Sequence, residues 1–210
     1  MSRGHQIASR SLAELSPVTA SMLDRYGPMR STRGVPVEAR FASLARTIAY
    51  QQLAGRAAST IWSRVVDLVA GPFTPEAVLA LDPSALRGAG LSTAKTLAVL
   101  DLAAHVADGR LSLHRLGRMD DEAVISHLVA VRGIGPWTAQ MFLMNELGRL
   151  DIWPTGDLGV RTGFALAFDL DSVPSPAQLE ELGDQFRPYR SVLAWYCWRV
   201  ADDPARARTK

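Results

Sequence analysis

The chain has 210 residues, 48% of them hydrophobic, which is enough for one sizeable core or two small helical lobes. Its formal net charge of +2 is too small to announce a nucleic-acid partner by itself, and a single cysteine, Cys197, excludes an intramolecular disulfide framework and any four-thiolate iron–sulfur or zinc site. Residues Met1 to Arg10 lack the continuous apolar run of a signal peptide or membrane span, so a cytoplasmic chain without a membrane partner is expected.

No stretch alternates apolar and polar residues between turn signals, so the fold class is all-α. Ser16-Pro17 opens a helix that ends near Gly27, and a Gly/Pro/Ser-rich linker runs from Pro28 to Pro36. Phe41, Leu44, Ala45 and Ile48 mark the next helix, which begins near Val37 and ends at Gln51-Gln52-Leu53. Ile61, Trp62, Val65, Val66 and Val69 form another. Thr74-Pro75 and Asp82-Pro83 each join a capping side chain to proline at a first helical position, and Ser92 caps a longer helix that runs to Gly109. Asp120-Asp121-Glu122 are acids at a helix start, where the dipole favours them. Ala123, Val124, Leu128 and Val129 then recur at helical spacing, as do Ala139, Phe142, Leu143 and Leu147, with Gly148 as a stop. Further helices are expected from Asp157, from Pro176 after Ser175 and over Arg190 to Ala201, before an Ala/Arg-rich end from Pro204 to Lys210 that frays.

Between the two central helices lies Val131-Arg132-Gly133-Ile134-Gly135-Pro136-Trp137-Thr138. Two glycines turn the backbone and bare its N–H groups, and Pro136 aims a helix N-terminus at whatever the turn faces, which suits a phosphate. A Gly/Pro loop follows, Trp153-Pro154-Thr155-Gly156-Asp157, with the aspartate 22 residues past Gly135. From about Arg40 to Val200 this pattern resembles the helix-hairpin-helix superfamily of DNA glycosylases. Trp137-Thr138-Ala139 and Asp157-Leu158-Gly159-Val160 resemble most the DNA-3-methyladenine glycosylase II branch, in its compact form. The resemblance implies two helical lobes flanking an active-site cleft, with residues of about 30–130 in one lobe and 1–29 with 131–210, the hairpin included, in the other. It also implies double-stranded DNA containing damaged bases as partner, a monomer, and nucleoid association.

Breaking an N-glycosidic bond builds positive charge on the deoxyribose, so the useful protein group is a fixed carboxylate near that sugar. Asp157 is the candidate catalytic residue; read from the residues alone, an Asp after Gly is an ordinary helix N-cap, and its offset from the hairpin gives it the catalytic reading. In the superfamily's bifunctional enzymes a lysine stands where this chain has Trp137, so the resemblance implies hydrolysis without a Schiff base and no strand cleavage. Of the chain's two lysines, neither Lys95 nor Lys210 matches a catalytic position, and Lys95 would be the first suspect for a substitute amine. Trp137, Met141 and Trp198 are the candidate base pocket: aromatic faces attract a cationic purine, although Trp137 reads equally well as core and Met141 stands where an aromatic is expected. Trp198 shares its helix with Tyr189, Trp195 and Tyr196. Leu53 matches the family's wedge position, an apolar side chain that enters the duplex when a nucleotide flips out, while the residues alone read Gln51-Gln52-Leu53 as an ordinary helix-to-helix connection, with Gly55 and Ala57-Ala58 allowing close packing. Gln52 is a further DNA-binding candidate, and Gly133, Ile134, Gly135 and Thr138 would grip phosphate.

Residues 1–60 carry eight arginines (Arg3, Arg10, Arg25, Arg30, Arg33, Arg40, Arg46 and Arg56) against Glu14, Asp24 and Glu38, a surplus that fits a DNA-facing or a merely solvated surface equally. His5, His105, His114 and His127 show no metal-ligand spacing, and Gly88-Ala89-Gly90 lacks the context of a nucleotide loop. No cofactor is expected beyond a monovalent cation bridging hairpin and phosphate. The rivals are a non-catalytic helix-hairpin-helix DNA-binding module and a glycosylase for oxidised or deaminated bases. The carboxylate at Asp157 speaks against the first, and the missing lysine and aromatic wall speak against the second.

Overall fold

A computed structural model describes residues 3–29 and 34–204. Part of the Pro28–Pro36 linker, the arginines 30 and 33 and the tail beyond residue 204 therefore lie outside the described residues. Among those described there is no strand. By their contacts the residues divide into two units, 35–142 in one and 1–34 with 143–210 in the other. The division falls inside a helix, at 142/143, so the hairpin belongs with residues 35–142 and not, as expected, with the C-terminal lobe.

The first unit to be assembled along the chain starts with α1 (Arg3–Ala13) and α2 (Pro17–Tyr26). Ser16 caps α2 by accepting from the Thr19 N–H at 3.1 Å, while the Thr19 hydroxyl donates to the Leu12 carbonyl at 2.7 Å and ties α2 to the end of α1. Gly27, at φ +70°, closes α2. No local signal marks α1, whose buried face is half polar: His5 and Ser9 alternate with Ala8 and Leu12, while Ile7 is exposed. Both His5 ring nitrogens are buried without a hydrogen-bond partner, and burial lowers its pKa below the usual 6.5.

Residues 35–142 carry α3 (Arg40–Tyr50), α4 (Gly55–Asp67), α5 (Pro75–Leu79), α6 (Pro83–Gly88), α7 (Thr93–Ala107) and α8 (Asp121–Val129), and the start of α9 (Pro136–Asn145). The capping signals act as their chemistry demands: Thr74, Asp82, Ser92 and Asp120 each accept from a backbone N–H of their own helix. Leu44, Ala45 and Ile48 of α3 and Val99, Leu102 and Ala103 of α7 are buried in this core. Each large aliphatic side chain so removed from water contributes about 1.5–3 kcal/mol. Phe73 stacks on Phe41 at 5.6 Å and meets the edge of Trp62 at 5.1 Å.

The chain then returns to the unit that holds α1 and α2, with α10 (Leu158–Ala167), α11 (Pro176–Gly183) and α12 (Arg190–Ala201). α12 is its central rod: Val192, Leu193, Ala194, Tyr196 and Cys197 are fully buried, and the Tyr196 hydroxyl donates to the Gly27 carbonyl at 3.0 Å. α10 packs so closely on it that a Cβ at Gly163 would strike the Cys197 backbone carbonyl. The Cys197 thiol is sealed in this interface, and burial pushes its pKa upward.

Candidate functional site

The hairpin is a backbone object. After α8, Val131 is buried and its carbonyl accepts from the Ile134 N–H at 3.1 Å, closing the turn. Gly133 sits at φ +80°, where an L side chain is strained, and an added Cβ would come within 2.8 Å of the Ala98 Cβ. Gly135 is different: its φ is ordinary and nothing lies within 4 Å of an added Cβ. Ile134 is 3% exposed, so its side chain plugs the turn into the core and only its backbone is offered outward. Thr138 is buried in the first turn of α9.

Beside the hairpin lies the end of α3. The Gln51 side-chain amide donates to the Gly133 carbonyl at 2.9 Å, so the two turns are joined directly. Gln52 follows in the left-handed region at φ +56°, and Leu53 is 40% exposed at the tip. The half-buried Lys95 ammonium donates to the carbonyls of Ala49 at 2.8 Å and Gln51 at 2.6 Å. Burial lowers the Lys95 pKa. Its sequence position gave no hint of these bonds, because the partners are backbone oxygens more than forty residues away. A concavity of about 510 Å³ opens here, lined by Arg46, Tyr50, Gln52, Trp137 and Thr138 among others. The Arg46 guanidinium lies 4.2 Å over the Tyr50 ring. Trp137 is 48% exposed, which rules out core packing as its whole purpose. Met141, half-buried one turn further on, is not among the lining residues.

Asp157 belongs to the other unit, where it is the N-cap of α10. Its Oδ1 accepts from the Val160 N–H at 2.9 Å and from the Trp198 indole Nε1 at 3.1 Å. The cap and the bond to the indole therefore share one oxygen. Gly159 lies between them: a Cβ there would press on both Trp198 Cδ1 at 3.0 Å and Asp157 Oδ1 at 3.1 Å. The loop leading to Asp157 is fixed from behind. Ser191 Oγ accepts from the Ile152 N–H at 2.8 Å, the Trp153 indole donates to the Leu179 carbonyl at 2.9 Å, and the buried Arg190 donates to Asp151 Oδ1 at 2.8 Å. The other aromatics of α12 point elsewhere: Trp195 carries Arg199 over its ring at 4.8 Å, and Tyr196 is core. Among the described residues no group of three or more His, Cys, Asp or Glu side chains forms a metal site.

The site residues thus fall into two sets. One holds a carboxylate bonded to an indole, Asp157 with Trp198; the other holds a glycine hairpin joined to a turn with an exposed leucine. Comparison with known proteins gives the chain its family. Residues 45–188 match the family described as HhH-GPD superfamily base excision DNA repair protein. A Bacillus subtilis relative named for DNA-3-methyladenine glycosylase is 36% identical over 60% of this chain, which spans 44% of that protein's length. Among solved structures, DNA-3-methyladenine glycosidase from Bacillus halodurans superposes with a TM-score of 0.84 at 32% identity, covering 94% of this chain and 90% of that one. The Schizosaccharomyces pombe 3-methyladenine DNA glycosylase, solved with abasic DNA, gives 0.80 at 28% identity, covering 91% of this chain and 95% of that one. The chain belongs to the HhH-GPD superfamily of base excision DNA repair proteins.

Proposed function

We propose that the chain is a DNA glycosylase that hydrolyses the N-glycosidic bond of alkylated bases, of the 3-methyladenine and 7-methylguanine type, in double-stranded DNA. The observation that carries the reading is the Asp157–Trp198 pair: one carboxylate oxygen held by two donors, a backbone N–H and the indole N–H of an electron-rich ring. An alkylated purine already bears positive charge, so it leaves with the bonding electrons and no prior protonation. The charge that remains on the sugar is met by the Asp157 carboxylate, and water adds at C1′ with loss of a proton. Trp198, beside that carboxylate, supplies an aromatic face, which attracts a cationic base more than a neutral one, and Trp137 is proposed as a second such face on its own unit. Leu53 fills the space left by the flipped nucleotide, and the hairpin N–H groups hold phosphate. A DNA-binding module without chemistry needs neither Asp157 nor its indole partner.

The reading makes the enzyme monofunctional. Trp137 stands where an attacking amine would be, and the Lys95 ammonium is committed to two carbonyls. It also takes the protein as a monomer on nucleoid DNA in the cytoplasm and leaves room for a monovalent cation between hairpin and phosphate. The test is a panel of duplexes, each with one damaged base, scored for free-base release. Alkylated purines released with an intact abasic strand, broken only by hot alkali, support the proposal. Release confined to oxidised or deaminated bases, or a borohydride-stable protein–DNA adduct, overturns it. Light scattering and cell fractionation check the monomer and its location.

A further inference from the structure

Helix α7 touches both turns of the hairpin unit. Near its start Lys95 donates to the carbonyls of Ala49 and Gln51, at the C-terminal end of α3, where carbonyls lack helical partners and the helix dipole is negative. One turn later Ala98 packs against Gly133. Gln51, which receives the lysine's shorter bond, passes its own side-chain amide to the Gly133 carbonyl. A continuous path of polar bonds therefore runs from Lys95 through Gln51 to the hairpin. The residues that the path restrains have little to hold them otherwise. Gln52 is in a left-handed conformation that costs a non-glycine residue energy, and Leu53 is exposed, with one bond from its N–H to the Tyr50 carbonyl at 3.3 Å.

We infer that Lys95 is a positioning residue: it fixes the Gln52–Leu53 turn in register with the hairpin, so that the leucine and the phosphate-binding backbone engage one duplex together. The inference rests on the glycosylase reading above. Lys95 itself touches no DNA. Its effect is to order the turn before binding, so that ordering is not charged against the step in which the leucine enters the helix. That benefit is largest when a stable base pair must be opened, and small when the lesion is already unpaired.

The test uses the full chain with Lys95→Met, which keeps length and loses the donor, and Lys95→Arg, which keeps a donor. Single-turnover release is measured for 7-methylguanine paired with cytosine and for the same lesion in a mismatch. With Lys95→Met the paired substrate should slow about ten- to hundred-fold, the scale of a reactive group displaced by an ångström, while the mismatched one changes far less; Lys95→Arg should recover most of the loss. Equal slowing of both substrates would mean general support of the fold and would overturn the inference. Amide hydrogen exchange across residues 49–55 gives a readout independent of activity. It should quicken in Lys95→Met in that segment alone, and unchanged exchange there overturns the inference. If the wild type releases no alkylated base, the glycosylase reading falls, while the exchange measurement still decides whether Lys95 holds the turn.

Discussion

The hairpin with the α3 tip and the Asp157–Trp198 pair solve opposite problems. The first is made of backbone: a carbonyl at Gly133, a positive φ, a left-handed Gln52, and side chains such as Gln51 and Lys95 spent on holding main-chain oxygens. Such a surface can grip phosphates of any sequence. The second is made of side-chain chemistry, one carboxylate oxygen shared by a backbone N–H and an indole, on a helix locked to α12 at Gly163. On the proposed function, affinity and reaction would depend on different kinds of atom, and substitutions should separate them.

The largest effect is expected from Asp157→Asn. Asparagine caps a helix as well as aspartate does, so α10 should stay formed while the charge is lost. Single-turnover base release should fall by about a thousandfold, with lesion-duplex affinity kept. A wild-type rate would remove Asp157 from the chemistry and leave the second region a structural one.

Next is Gly163→Ala. The methyl must displace the Cys197 carbonyl, a backbone atom of the central helix, so the cost should be about 3 kcal/mol, or roughly a 6–12 °C fall in Tm by calorimetry. Because Asp157 and Trp198 ride on the two helices forced apart, activity should drop with stability; a neutral Tm would mean that the two helices slide freely.

The two hairpin glycines sharpen the other side of the comparison. Gly133→Ala meets both an unfavourable φ and Ala98, so it should cost about 2 kcal/mol of stability as well as affinity. Gly135→Ala has open space and ordinary φ, so it should leave Tm alone and weaken binding to every duplex alike, about tenfold. An unchanged dissociation constant for Gly135→Ala would take the hairpin out of the interface.

The smallest effect concerns His5, remote in sequence from either set. Burial lowers its pKa in the folded state, so the unfolded chain binds the extra proton and stability is lost as pH falls below about 6.5, the free imidazole value. Tm should decline from pH 7.5 to 5.5 in the wild type and less steeply in His5→Leu, and parallel curves would show that the ring does not titrate on unfolding.

Much of this fold could be read from local signals. Ser16, Thr74, Asp82, Ser92, Asp120 and Ser175 announce helix starts because a cap acts within three residues of itself, and each does so here. α1 escaped because its inward face uses His5 and Ser9, which break the apolar rhythm. The hairpin, too, was legible, since glycine and proline state their backbone roles directly. The grouping of that hairpin with residues 35–142 was not, because nothing local says which neighbours a turn will pack on. The bond between Asp157 and Trp198 spans 41 residues and had no signature beyond the family resemblance of each position. Lys95 is the clearest miss: its role lies in the carbonyls it meets, and any residue type can supply a carbonyl.

The sealed thiol of Cys197 has a practical consequence. It is the chain's only cysteine, and reagents that need an accessible thiolate find none in the folded protein. The native sequence already serves as a silent background for site-directed labelling, with no residue to be removed first. Leu53→Cys would then carry a lone fluorophore or spin label at the tip of the α3 turn, reporting its motion on and off DNA. Modification of Cys197 itself would become a clock, ticking only when α10 and α12 part.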